Sequence, residues 1–141
     1  FKQYGCKQVG SNGELLEANK VVEGMGILAA LIAAKPNNEF IKECLDYFGN
    51  RHFVNPDGSL YTDIINPGIM ATLAVKYGFR YIDKTQVLDN NMIILDSSVF
   101  AGNAATLSKQ SYSMHYCDGS WREKTLVQKL KSFIRNYFLV K

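Results

Sequence analysis

Cysteine, histidine, tryptophan and proline are all scarce in this sequence, and several classes of protein fall away with them. The three cysteines, Cys6, Cys44 and Cys117, are odd in number and match no zinc-module spacing. A disulfide scaffold and a zinc finger are therefore excluded, and free thiols in a reducing cytoplasm are the simplest reading. Charge of one sign is also in short supply. A formal net charge of +3 is too small to imply nucleic acid, and no nucleic-acid partner is expected. The longest apolar stretch, Met25 to Ala34, falls far short of the roughly 20 residues needed to span a bilayer. No apolar segment follows Phe1-Lys2-Gln3-Tyr4-Gly5 as it would in a secretory signal. Without an initiator methionine, the chain is expected to begin inside a longer protein. The expected compartment is the cytoplasm, with the inner face of the membrane as the surface it would meet there.

What is present describes one folded domain. An apolar fraction of 47% against 21% charged residues is the balance of a chain that buries a core. Residues 1–24 carry Gly5, Gly10, Gly13 and Gly24, and an irregular opening segment is expected, with a turn at Ser11-Asn12-Gly13. Ile27 to Ala34 is continuously apolar and predicts a strand buried on both faces, although its alanines also suit a helix. Asn37 or Asn38 then predicts a helix N-cap. Phe40, Ile41, Cys44, Leu45 and Phe48 follow at helical spacing, and Gly49 stops the helix. Cys44 lies on that stripe and reads as a small core residue.

Asn55-Pro56-Asp57-Gly58 predicts a turn. Asn66-Pro67 predicts a second helix, because proline is tolerated in the first turn, where its missing N–H has no partner to lose. Ile69, Met70, Leu73, Ala74 and Tyr77 would form its buried face, ended by Gly78. Short strands are predicted at Tyr81-Ile82, at Met92 to Leu95 after an Asp89-Asn90-Asn91 turn, and at Ser111 to Tyr116. Residues 121–139 predict an amphipathic helix, apolar on one face and basic on the other. Its charge gives a solvated surface, or peripheral contact with an anionic membrane. Alternating strands and helices predict an α/β or α+β architecture.

Few residues are equipped for chemistry. His52 sits in a loop with no second ligand type at a useful spacing. His115 is placed at the end of a strand, where catalytic and binding groups collect, and a neutral imidazole there could ligate a divalent cation or touch a phosphate. The plainer reading of a lone histidine is a hydrogen-bonded structural residue. Cys117 lies two positions from His115, so a Cys/His nucleophilic pair is conceivable, but no third group orients it. Gly119-Ser120-Trp121 offers backbone N–H groups, a hydroxyl and an indole donor to phosphate or sugar oxygens. Ser120 with Glu123 also fits a helix capping box. Asp57 and Asp63 are candidate carboxylates. Loop aspartates usually make turn bonds, and Asp63, between Tyr61-Thr62 and Ile64-Ile65, is the better catalytic candidate.

From Glu23 to Trp121 the chain resembles the C-terminal half of glycosyltransferase family 32. The resemblance runs in order through Glu23 to Ala34, Lys35-Pro36-Asn37-Asn38-Glu39-Phe40-Ile41-Lys42, Asp57-Gly58-Ser59-Leu60, and the helix leading to Tyr77-Gly78-Phe79. It closes on Tyr112-Ser113-Met114-His115-Tyr116 and Gly119-Ser120-Trp121. It implies the C-terminal part of a GT-A type nucleotide-sugar transferase fold, an α/β architecture with a mixed sheet flanked by helices. It implies retaining transfer of a sugar from a nucleotide-sugar donor to a polysaccharide or lipid-linked sugar acceptor, as in bacterial capsular polysaccharide synthesis. It also implies a divalent cation, Mn2+ or Mg2+, acting as a Lewis acid on the departing diphosphate. His115 would stand near that metal, and Gly119, Ser120 and Trp121 would close over the nucleotide sugar.

Two departures qualify the match. The family often places two adjacent histidines where this chain has Met114-His115-Tyr116. Its Asp-X-Asp motif, which holds the metal and lies in its N-terminal half, occurs nowhere in these 141 residues. These residues alone are expected to be inactive. The competing expectation is a non-catalytic binding domain that kept the scaffold.

Overall fold

A short helix, buried on nearly every side, organises the chain. The computed structural model describes residues 8–49, 51–61, 65–101, 105–115 and 125–139. Helix α1 spans Glu39–Phe48, α2 Asn66–Ala74 and α3 Leu126–Leu139. Four two-residue strands complete the set: β1 Gln86–Val87, β2 Ile93–Ile94, β3 Phe100–Ala101 and β4 Ser113–Met114.

Helix α2 buries Gly68, Ile69, Met70, Ala71 and Ala74. Its residues are small or apolar all round, as a helix enclosed on several sides requires. Ile65 holds the N-cap position and Pro67 falls in the first turn, one residue earlier than a cap at Asn66. A single 3-10 turn, Val75–Tyr77, extends the helix to Gly78, which takes a left-handed φ of 92°. Val22, Phe40, Tyr77, Phe79 and Tyr81 close the core around it. The rings of Phe40 and Tyr77 meet edge to face at 5.8 Å, and those of Phe79 and Tyr81 at 5.1 Å.

Helix α1 starts where its sequence says. The Asn38 side chain accepts a hydrogen bond from the Ile41 amide at 3.0 Å, satisfying one of the donors a helix start leaves open. Only part of the apolar stripe is used. Phe40 is buried and Ile41 and Cys44 pack on the core, whereas Leu45 is 67% exposed and Phe48 41%.

Ile27 to Ala34 does not form the expected strand. Among the described residues no strand lies alongside it, and the Ile27 amide donates instead to the Pro67 carbonyl at 3.0 Å. Met25, Ile27 and Ala29 turn toward the core while Leu28, Leu31 and Ile32 stand exposed. The segment is a half-covered flank of α2. Gly26 makes that approach feasible: a Cβ there would sit 2.4 Å from the Pro67 carbonyl carbon and oxygen.

The turns match their residues. Gly13 is left-handed at φ 76° and the Tyr81 amide donates to its carbonyl at 2.7 Å. Tyr81-Ile82 is a bend rather than a strand, and the Tyr81 amide bonds to a turn and not to a ladder. Asn55 to Ser59 close a small hairpin in which Val54 bridges Leu60. Asn90 and Asn91, at φ 57° and 55°, turn β1 into β2, a conformation asparagine tolerates better than most residues. β1 and β2 pair antiparallel, Gln86 with Ile94 and Val87 with Ile93. β3 and β4 pair parallel, Phe100 with Ser113 and Ala101 with Met114. Both senses of pairing therefore occur among the described residues, in two separate two-stranded sheets.

Helix α3 begins at Leu126; residues 121–124 of the expected helix lie outside the described residues. Thr125 and Gln128 form the capping box: the Thr125 amide donates to Gln128 Oε1 at 2.9 Å and the Gln128 amide to Thr125 Oγ1 at 3.3 Å. The Ser120/Glu123 pair expected in that role lies outside the described residues. Among the described residues no helix is long and apolar enough to cross a membrane.

Candidate functional site

His115 follows β4 directly and is exposed. Among the described residues, the strand before it pairs with β3 alone. Tyr112 donates its amide to the Val99 carbonyl at 2.9 Å, and Ser111 Oγ donates to the Ser98 carbonyl. The Phe100 and Tyr112 rings lie 6.0 Å apart.

Behind β3 sits a polar clasp that sequence reasoning did not find. Asp96 accepts from Thr85 Oγ1 at 2.8 Å and from the Ser98 amide at 3.1 Å. Asp83 accepts from the Ser97 amide at 2.8 Å. The hydrogen bond from the Ser98 hydroxyl first, and then that from Thr85, hold the Asp96 carboxyl below its ordinary range. Asp96-Ser97-Ser98 is a recognisable turn sequence, but nothing local marks Thr85 as its partner. The clasp joins the end of the β1–β2 hairpin to the start of β3, and so sets where β4 and His115 emerge.

Of the expected site residues, His115 alone lies among those described. Asp63, Gly119, Ser120 and Trp121 lie outside them, as does Cys117. Asp57 is committed to its turn, accepting from the Ser59 amide at 2.9 Å and the Ser59 hydroxyl at 2.6 Å. Those bonds, the hydroxyl's first, hold its carboxyl below the usual range. His52 is exposed in a loop. Burial first and Glu43 second push the Cys44 thiol up, which suits a core residue and not a nucleophile.

A metal would ask more of this chain than the described residues give. Among them, no three His, Cys, Asp or Glu side chains gather closely enough to hold an ion. His115 offers one imidazole, and it does not make a metal site on its own.

A cleft of about 300 Å³ opens where the start of α1 meets the β1–β2 turn, with Asn38, Glu39, Tyr77, Asp89 and Asn90 in its wall. Asn90 Nδ2 donates to Glu39 Oε2 across it at 3.1 Å. Asn38, expected as a helix cap, and Asn90, expected as a turn residue, thus bring amides and carboxylates to one place. Neither a protein-family model, nor a curated protein, nor a solved structure matches the chain.

Proposed function

We propose that these residues are part of a retaining glycosyltransferase that moves a sugar from a nucleotide-sugar donor to a polysaccharide or lipid-linked acceptor, as in the synthesis of bacterial surface polysaccharide. One observation carries the reading: the ordered series of segments from Glu23 to Trp121 that closes on His115 and Gly119-Ser120-Trp121. The exposure of His115 one residue past a strand of a parallel pair supports it, because ligands of α/β folds gather at the carboxyl ends of such strands.

In this reading the bond from the sugar's anomeric carbon to the diphosphate breaks and one to an acceptor oxygen forms. The acceptor's proton leaves to a base, and the nucleoside diphosphate departs. Asp63 is the candidate catalytic carboxylate. The backbone N–H groups of Gly119 and Ser120 and the Trp121 indole would hold diphosphate oxygens. His115 would contribute one ligand to a divalent cation, Mn2+ or Mg2+, whose remaining ligands would come from Asp-X-Asp carboxylates not contained in these 141 residues.

The test is release of nucleoside diphosphate from a panel of nucleotide sugars, with manganese, by the protein expressed from its whole coding sequence. Turnover that drops at least about tenfold in both His115→Ala and Trp121→Ala is expected. Absence of turnover across the panel, with no Asp-X-Asp encoded upstream of Phe1, would reject the reading.

A second reading, a non-catalytic interaction domain, is favoured by one observation. Leu28, Leu31, Ile32 and Leu45 expose between 38% and 67% of their surface, and exposed apolar patches mark interaction surfaces. That reading predicts a stable complex without turnover.

A further inference from the structure

The chain's charge is divided unevenly. It holds sixteen basic and thirteen acidic residues, of which five basic and none acidic fall from Lys124 onward; eleven basic and thirteen acidic precede them. A slightly acidic body is thus followed by a purely cationic segment. Helix α3 occupies most of that segment.

Among its described side chains, no apolar residue lies in the core. Leu126, Leu130 and Ile134 recur every fourth residue, with Val127 beside them, so they share one side of the helix. Their exposures are 83%, 60%, 46% and 62% for Leu126, Leu130, Ile134 and Val127. Among the described residues no other helix or strand packs extensively against α3. At 3.6 residues per turn, Lys129 and Lys131 fall on opposite flanks of the stripe, and both are exposed.

We propose that α3 is a peripheral membrane-binding helix that lies on an anionic lipid bilayer. The stripe would enter the boundary between headgroups and acyl chains, while the lysine stems reach back to the anionic headgroups. Fourteen residues make about 21 Å of helix, too short to cross the roughly 30 Å of hydrocarbon. A protein groove would account for the stripe, and for the exclusion of carboxylates only if its rim were acidic. Pairing with α3 of a second copy would set lysine flank against lysine flank. The inference is independent of the transferase reading, since no step of sugar transfer uses α3.

Cosedimentation of the 141-residue chain with phosphatidylcholine vesicles, with and without about 30% phosphatidylglycerol, tests it. Partition into the anionic vesicles is expected to exceed that into neutral ones by at least about tenfold. Lys129→Gln with Lys131→Gln should lower it about thirtyfold, on the order of fivefold per lysine. Leu130→Ser should lower it more than about tenfold. Glutamine keeps helix propensity, so the double lysine variant reports on charge with the helix intact. Equal partition into both vesicles, no partition into either, or a dimer that Leu130→Ser dissociates would each overturn the proposal.

Discussion

Tyr77 donates its phenolic hydrogen to Glu43 Oε1 at 3.0 Å, tying the turn that ends α2 to the middle of α1. Lys76 pairs with the same oxygen. Glu43 Oε2 is buried and, among the described residues, has no hydrogen-bond partner. Tyr77→Phe removes one neutral donor and should cost about 1 kcal/mol. Glu43→Ala should cost more, about 2 kcal/mol, because the buried Tyr77 hydroxyl loses its acceptor and Lys76 its counter-charge. Urea unfolding of the two variants measures the order directly. Equal losses would mean that the tyrosine bond alone matters.

The same contact sets an alkaline limit. The hydrogen bond to Glu43 raises Lys76, and burial first, then Glu43, raises Tyr77. A raised folded-state value means that the folded chain keeps its proton longer than the unfolded one. The stability this contributes is complete below the ordinary values of 10.0 and 10.5 and is lost as pH rises through the higher folded values. Glu43→Gln should therefore flatten the fall in melting temperature between about pH 9 and about pH 12, read by far-UV circular dichroism. An unchanged slope would place the alkaline loss elsewhere.

Gly24 and Gly26 are two residues apart and constrain the chain for different reasons. Gly24 has φ 68° with nothing near its missing Cβ, whereas the missing Cβ of Gly26 faces backbone at 2.4 Å. Asparagine tolerates a left-handed φ, so Gly24→Asn should cost about 1 kcal/mol or less. Gly26→Ala should cost about 2 kcal/mol or more, since neither Pro67 nor the helix behind it can yield as a flexible side chain would. A Gly26→Ala variant as stable as the parent would show that the segment at 25–29 does not lean on α2.

The Asp96 clasp makes an acid-side prediction. Its carboxyl is held low by Ser98 and Thr85, so its contribution is present above the ordinary value of 3.8 and is lost as pH falls through the lower folded one. Asp96→Asn should cost about 1 kcal/mol at neutral pH and weaken the acid dependence. It should also broaden the His115 imidazole resonance in proton NMR as β3 and β4 loosen. A sharp, unshifted resonance would mean that the clasp does not position β4.

Signals carried by a few neighbouring residues were legible in the sequence. Asn38 announces α1 because a side-chain oxygen can reach an amide three residues on. Asn55 to Gly58 and Asp89 to Asn91 announce turns because few residues accept those dihedrals. Legibility ends where the partner is distant in sequence. Ile27 to Ala34 is apolar enough for a buried strand, but whether a neighbouring strand exists is not written in the run itself. Leu45 and Phe48 share a stripe with Phe40, yet the core is wide enough for only part of it. β1 escaped notice because two residues give no period to detect. Thr85 and Asp96, eleven residues apart, carry no mark of their pairing. In the candidate site, the polar–apolar alternation from Ser111 to Tyr116 was readable and put His115 at the end of a strand. Asp63 and Gly119 to Trp121 lie outside the described residues.

The half-covered flank from Ile27 to Ala34 has a consequence for how the protein must be handled. It contains eight consecutive apolar residues with no charge and no proline, and Leu28, Leu31 and Ile32 remain accessible even after folding. Such a stretch adheres to its like in neighbouring chains. Recovery from denaturant is therefore expected to fall as protein concentration rises.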